Sequence, residues 1–286
     1  MRAVLPGGRG LVADVLLPGR LATTFVFIHG LASVREGQKS DAIFGLARRL
    51  GAGAIRVDMT GPWGESPGNL AEVTLTRWIE DVEIALRHAR SLSGADGAVV
   101  LLGYSFGGLA AAHALAKRSE SVPADALVLL APALGLLERL EKVHEPGAQF
   151  LHLPSRYLPD GRLTLSATIR EDLRCYPGDD DLAQRLKQTP LMIVHGEGDD
   201  TVPVDLALAF HGALSSGETG REGEIEKGKV AENTRIAPEF ILISETDGGD
   251  HRMNVPIADI CRQTENFLQH CGLINQNYQH LPQLAR

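Results

Sequence analysis

Six short runs of Val, Ile, Leu and Phe recur along the chain, spaced so that helices fit between them. They are TTFVFIHG (23–30), AIRVDM (54–59), AVVLLGYS (98–105), ALVLLAPA (126–133), LMIVHG (191–196) and FILISE (240–245). Each is continuously apolar rather than alternating, the pattern of a strand covered on both faces in a parallel sheet. Between them the period changes. In TRWIEDVEIALRHARSL, Trp78, Val82, Leu86 and Ala89 recur at helical spacing and form one apolar face. Near the end, Asn254 and Pro256 suit a helix start, and Ile260, Phe267 and Leu268 follow as its buried stripe. Strand–helix alternation of this kind predicts an α/β protein with a doubly wound, mostly parallel sheet. RGLVADVLLPG (9–19) predicts an antiparallel strand at one edge.

Two regions break this rhythm. Residues 134–189 are far longer than one connecting helix needs. They open with an amphipathic piece, LGLLERLEKV, and continue with SRYLPDGRLTLSATI. Pro159-Asp160-Gly161 is a turn signal, and Leu163, Leu165, Ala167 and Ile169 alternate with other residues, so a helix plus a β-hairpin is expected. The second region, 215–234, is polar, Gly-rich and charged, the composition of a solvated loop. The expected organisation is a core of residues 1–133 and 190–272, a cap or lid inserted at 134–189, a polar loop at 215–234 and a tail at 273–286. Ligands of open α/β sheets bind beyond the carboxyl ends of the strands, and the insertion leaves from one such end. Its helix offers Leu136, Leu137 and Leu140 and its hairpin Tyr157, Leu163 and Leu165. Of these, Leu137, Leu140, Tyr157 and Leu163 are the expected wall of an apolar or aromatic acyl pocket.

The chemistry rests on a choice between two serines. GESPG (64–68) and GYSFG (103–107) both fit Gly-x-Ser-x-Gly, the signature of a strained turn that presents a nucleophile. That turn needs a strand running into the serine and a helix leaving it. Around Ser105 both are present: AVVLLGY enters, and LAAAHALAKR leaves as a helix of small residues. Around Ser66, Pro62, Pro67 and Gly68 forbid a helix, so Ser66 reads as a loop serine. A serine hydroxyl needs a base, and the base an orienting carboxylate. After this kind of elbow the chain order is serine, acid, histidine. His251, in the loop after the last strand and before the last helix, takes the base position. His29 and His195 also end strands and read as structural turn residues. The acid lies in HGEGDDTVP, where Asp199, Asp200 and Glu197 are the candidates and Asp199 is favoured. Two backbone N–H groups must face the developing oxyanion. Phe106, which follows the nucleophile, and Leu31, in the loop after the first central strand, are the expected donors.

Composition narrows the partners. The formal net charge is −8, so an acidic surface disfavours nucleic acid. Three cysteines, Cys175, Cys261 and Cys271, have no metal-ligand spacing, and with no apolar leader in MRAVLPGGRG they predict reduced thiols in a cytoplasmic protein. Gly97–Ala116 is a charge-free stretch about as long as a membrane span, but its glycines and Ser105 predict strand, turn and helix rather than a span.

FIHGL, IRVDMTGPWGES, GYSFGG, HGEGDDTVP and DHR, in that order, resemble the motifs of the serine α/β-hydrolases over about residues 20–270, apart from 215–234. The resemblance implies the eight-stranded α/β-hydrolase sheet, and HGxxDxxVP places the acid at Asp199. Within the family the chain is most similar to small feruloyl/cinnamoyl-type carboxylesterases and to palmitoyl-protein and acyl-glucuronide hydrolases; PSRYLPDGRLTLS is similar to a segment of the latter group. It differs at Pro62-Trp63, where the family usually carries Arg-Gly or a similar pair. The implied activity is hydrolysis of a small-molecule carboxylic ester or thioester with an apolar or aromatic acyl group. Neither metal nor organic cofactor is implied. The serine argues against the dehalogenases of this fold, which use aspartate, and the dienelactone type, which uses cysteine. An aminopeptidase and a C–C bond hydrolase share the same triad and stay open at this point. A non-catalytic binding protein is disfavoured, because all three positions are filled.

Overall fold

The computed structural model describes residues 1–117, 124–216 and 236–274. The expected polar loop beyond Ser216 and the expected tail beyond Ile274 lie outside the described residues. The strands are β1 (Arg2–Val4), β2 (Val12–Leu16), β3 (Thr23–Ile28), β4 (Gly53–Val57), β5 (Ala98–Tyr104), β6 (Ala126–Leu130), β7 (Phe150–Pro154), β8 (Arg162–Ser166), β9 (Leu191–Gly196) and β10 (Glu239–Ile243). The helices are α1 (Gln38–Leu50), α2 (Leu75–Ser93), α3 (Phe106–Ala116), α4 (Leu136–Val143), α5 (Thr168–Leu173), α6 (Asp179–Leu186), α7 (Val204–Ser215) and α8 (Ile257–His270). None of these helices is long and apolar enough to cross a membrane.

Eight strands form one sheet in the order β1-β2-β4-β3-β5-β6-β9-β10. From β4 to β10 all pairings are parallel, while β2 runs antiparallel to both β1 and β4. The expected antiparallel strand is thus present at 12–16, but β1, which the hydrophobic pattern did not announce, takes the edge. Three residues with an exposed–intermediate–exposed pattern carry too little periodicity to be seen as a strand.

The continuous apolar runs are explained by two separate cores. Side chains alternate across a strand. Val26, Ile28, Leu101, Leu129 and Ile193 face one core with α2, α3 and α7. Phe25, Phe27, Leu102, Leu130 and Val194 face the other with α1 and α8. Trp78, Val82, Leu86 and Ala89 of α2 are all buried, as their spacing requires. The charge-free stretch 97–116 resolves into β5, a turn at Ser105 and α3.

The insertion holds α4, the antiparallel pair β7–β8, then α5 and α6. The alternation through Ala167 and Ile169 does not continue the strand. Phe150, the first residue of β7, pairs with Ser166, so the ladder ends there, and Ile169 is buried on α5 instead.

Ser66 has a structural duty. Its hydroxyl accepts from the Val12 N–H at 2.8 Å and donates to the Asp58 carbonyl, clamping the turn at 64–66 onto β2 and the end of β4. The buried Asp58 carboxylate beside it accepts from the Arg35 and Glu65 N–H groups and from the Arg35 guanidinium. Burial pushes that carboxyl up, and the hydrogen bonds and Arg35 together outweigh it and hold it below the ordinary range. The stability this contributes is complete above the unfolded carboxyl pKa of about 4 and is lost as pH falls through the lower folded value. Asp58→Asn removes the fully buried carboxylate that Arg35 meets, leaving it the more exposed Asp14, Glu36 and Glu65, and is expected to cost about 3–5 kcal/mol. Ser66→Ala orphans the Val12 N–H and is expected to cost about 1–3 kcal/mol. Urea unfolding of both variants checks the ranking; equal midpoints for Ser66→Ala and the parent would remove the clamp.

Candidate active site

Ser105 stands between β5 and α3 with φ 53° and ψ −122°, a backbone conformation that L residues rarely adopt. It is held there from both sides. Its N–H donates to the Leu130 carbonyl at 2.9 Å, and its carbonyl accepts from Gly108, Leu109 and Ala133. The flanking glycines are required by close approach. A Cβ on Gly103 would lie 2.6 Å from the Gly107 carbonyl oxygen, and a Cβ on Gly107 only 2.1 Å from the His29 carbonyl oxygen. The turn aims the Ser105 hydroxyl over the N-terminus of α3, where helix dipole and free N–H groups favour negative charge.

Two further loops meet this serine. The loop after β9 carries Asp199, which is buried. One of its oxygens accepts from the N–H groups of Thr201 and Val202, each at 2.8 Å, and the other from His251 Nδ1 at 2.8 Å. Burial raises this carboxyl, while the His251 hydrogen bond and charge, the Val202 N–H and His195 lower it; the net is below the ordinary range. Asp200 points away, exposed, and pairs with Arg156 at 3.1 Å. The loop after β10 carries His251, whose Nε2 lies 3.1 Å from Ser105 Oγ. With Nδ1–H donated to the carboxylate, Nε2 presents a lone pair to the serine hydroxyl. The two loops brace each other, since Gly198 N–H donates to Gly249 and Glu197 N–H to Ile243.

Around this array lies a cavity of about 300 Å³. Leu31, Tyr157 and Leu163 line it, as do Leu136, Leu153 and Leu158. Leu137 and Leu140 do not. Leu136 and Arg139 reach the cavity, whereas Leu140, on the face of Leu136 but one turn further along α4, is fully buried in the core, and Leu137 packs against that core. Phe106 is buried against Trp78 at 4.8 Å between ring centroids, and its N–H is the first of α3. Leu31 precedes Ala32, whose φ of 52° turns the chain back at the cavity wall. Of the other strand-end histidines, His29 accepts from the Met59 N–H at 3.0 Å and lies near the Gly30 carbonyl, a structural arrangement. His195 is wholly buried; its Nδ1 meets the Gly196 carbonyl at 3.2 Å, and its Nε2 lies 3.9 Å from Asp199 and makes no hydrogen bond.

Three residues of the site were invisible in the sequence. Tyr104 donates to the His251 carbonyl at 3.0 Å. Lys39, on α1, lies 4.1 Å above the Tyr104 ring and donates to Arg252 O and Asn254, and burial brings its amine down to about 8. Arg139 comes from α4. Lys39 and Arg139 arrive from distant elements that no local motif marks, and Tyr104, although inside GYSFG, bears on the site only through its contact with His251, 147 residues away.

A doubly wound sheet with a serine elbow, a histidine and an aspartate at the carboxyl ends of its strands defines the class of α/β-hydrolase folds. The chain belongs to this family: the model described as serine aminopeptidase, S33, matches residues 20–176, more than half of the 286 residues. It is 33% identical over 194 residues to the mouse palmitoyl-protein thioesterase ABHD10, mitochondrial, a match covering 64% of this chain and 61% of that protein. It is 29% identical over 181 residues to human protein ABHD12B, covering 63% and 46%. The chain thus matches less than two thirds of the length of these relatives. Among solved structures, Est1E from Butyrivibrio proteoclasticus superposes with a TM-score of 0.70 at 18% identity, covering 94% of this chain and 98% of that one. Mouse ABHD10 gives 0.67 at 23% identity, covering 94% and 99%. At these identities the superpositions establish the fold.

Gly107→Ala is expected to abolish folding of the elbow, because the added carbon meets backbone on both β3 and the turn after it. Gly45→Ala, at a helical site with nothing within 4 Å, is expected to stabilise by about 0.5–1 kcal/mol. Thermal melts of the two variants test the contrast; a Gly107→Ala protein melting with the parent would mean the approach is not tight.

Proposed function

We propose that the protein hydrolyses carboxylic esters or thioesters through an acyl-enzyme on Ser105. The observation that carries this reading is the chain of two hydrogen bonds, Ser105 Oγ to His251 Nε2 at 3.1 Å and His251 Nδ1 to Asp199 at 2.8 Å. In acylation Ser105 Oγ bonds to the acyl carbon while His251 Nε2 takes the hydroxyl proton. The N–H groups of Leu31 and Phe106 receive the oxyanion, an interaction typically worth about 3–4 kcal/mol per donor. His251 then passes its proton to the departing oxygen or sulfur as that bond breaks. Water repeats the sequence on the acyl-enzyme and frees the acid. Asp199 keeps the imidazole in the Nδ1–H tautomer and stabilises its protonated form.

The relative named as a palmitoyl-protein thioesterase supports ester or thioester hydrolysis. The charges around the cavity disfavour an aminopeptidase. Lys39, Arg139 and Arg252 line it, and the acid that also lines it, Glu36, lies 3.5 Å from Arg35. A peptide N-terminus is itself a cation and would find repulsion there. The apolar lining, Leu136, Leu153, Leu158 and Leu163, suits an apolar or aromatic acyl group, each buried methylene of which gains about 0.8 kcal/mol.

A fluorophosphonate is expected to label Ser105 and not Ser66, read by mass spectrometry of the adduct, and Ser105→Ala to abolish turnover of p-nitrophenyl butyrate. Asp199→Asn is expected to lower kcat about 10⁴-fold by removing the tautomer restraint, with Asp200→Asn close to the parent. An adduct on another residue, or the reverse ranking of the two aspartates, would overturn the assignment.

A further inference from the structure

Arg139 is out of balance with its surroundings. Its neighbours on α4, Leu136 and Leu140, are buried, and it sits on the flank of that face, half-buried, with its side chain lining the cavity that holds Ser105. Other arginines of the described residues are either exposed or engaged. Arg35 meets Asp58, Arg56 meets Asp14, and Arg170 meets Glu141. Arg139 is the half-buried arginine that, among the described residues, makes neither an ion pair nor a side-chain hydrogen bond. The acids of its own helix, Glu138 and Glu141, are both exposed, and Glu141 is held by Arg170 and Arg174. The charge it senses is Asp199, and both oxygens of Asp199 are already filled by His251, Thr201 and Val202. Burial accordingly pulls the guanidinium below its ordinary pKa, with Asp199 opposing.

The other two cations of the cavity are engaged. Lys39 donates to Arg252 O and Asn254 under the Tyr104 ring, and Arg252 donates to Tyr157 O at 2.8 Å and stacks on the Tyr157 ring. They make the cavity positive but offer few free donors. An unpaired, partly desolvated cation at the wall of a cavity is costly unless the occupant brings the counter-charge. A guanidinium presents a planar fork that matches a carboxylate in two parallel hydrogen bonds. With one open fork, a monoanion matches the single unpaired charge, whereas a dianionic phosphate would leave a second charge to be desolvated.

We propose that Arg139 is a specificity-determining residue that binds a carboxylate carried by the substrate, so that the preferred esters or thioesters are monoanions with an apolar body. This rests on the hydrolase reading of Ser105. The carboxylate could belong to the acyl part or to the leaving group, and two matched pairs of substrates separate these. One pair is the p-nitrophenyl monoester of suberate and its ω-methyl ester. The other is 4-butyryloxybenzoate and its methyl ester.

In one of the pairs the carboxylated member is expected to show a kcat/KM at least tenfold above its methyl ester at low salt. Arg139→Met is expected to cut that charged-to-neutral ratio at least tenfold, and Arg139→Lys to restore part of it. The pair that responds locates the anion. The inference is overturned if the parent favours the neutral member in both pairs, or if Arg139→Met leaves both ratios unchanged. Circular dichroism of the variants separates misfolding from lost recognition, and Arg139→Gln serves if the methionine variant is unfolded. Failure of the hydrolase reading looks different: no ester of either pair is turned over and the fluorophosphonate leaves Ser105 unlabelled. The carboxylate is then read by calorimetry on the Ser105→Ala protein, titrated with monomethyl suberate and dimethyl suberate and with 4-butyryloxybenzoate and its methyl ester. Tighter binding of either monoanion than of its methyl ester, lost on adding Arg139→Met, supports the site, and equal binding within both pairs removes it.

Discussion

The backbone of Ser105 is the constraint on which the rest of the site depends. A residue at φ 53°, ψ −122° stores strain of about 1–3 kcal/mol and persists only where its surroundings over-determine it. Here they do. Leu130, Gly108, Leu109 and Ala133 bind its N–H and carbonyl, and glycines at 103 and 107 let β5, α3 and the end of β3 approach within distances that a side chain would forbid. The sheet therefore fixes the serine, and the serine fixes where every partner must arrive.

The partners arrive on loops that are tied to one another rather than to the serine. Asp199 is oriented by the N–H groups of its own turn, and the loop bearing it is hydrogen-bonded to the loop bearing His251. Tyr104, the residue before the serine, reaches back to the His251 carbonyl and closes the circuit. The same logic holds on the opposite side of the sheet centre, where Ser66 and Asp58 lock the turn after β4. Two serines with the same local motif thus perform opposite work. One is half-buried and held by strain at the wall of a cavity, and the other is buried with its hydroxyl spent in structure.

The cavity above this array is built by α4 and the β7–β8 pair from one side and by the loop before α1 from the other. α4 gives it both apolar wall, through Leu136, and positive charge, through Arg139, while Lys39 and Arg252 bring charge from α1 and from the loop after β10. In a protein with a net charge of −8, Lys39, Arg139 and Arg252 gather positive charge at the wall of one cavity. Such focusing raises the local concentration of an oppositely charged ligand.

What the chain alone determined is what local pattern encodes. Continuous apolar runs announced β3 to β6, β9 and β10; in the inner strands this is because side chains alternate onto two cores and leave no polar face, while β10 keeps its apolar run at the sheet edge with Leu242 exposed. Strand–turn–helix context separated Ser105 from Ser66, because proline and glycine decide within a few residues whether a helix can start. Motif order brought Asp199 and His251 forward as the partners of Ser105. The tertiary structure decided the rest. It set β1 at the edge, since pairing with β2 and not periodicity makes it a strand. It ended β8 at Ser166, because the partner strand begins opposite that residue. It turned Leu137 and Leu140 into core while leaving Leu136 and Arg139 on the cavity, a choice made by what α4 packs against. Lys39, Tyr104 and Arg139 lie 35 to 100 residues apart in sequence and meet only when α1, β5 and α4 converge on the same end of the sheet. Contacts between residues so distant along the chain have no local signature, and only the packed sheet brings them together.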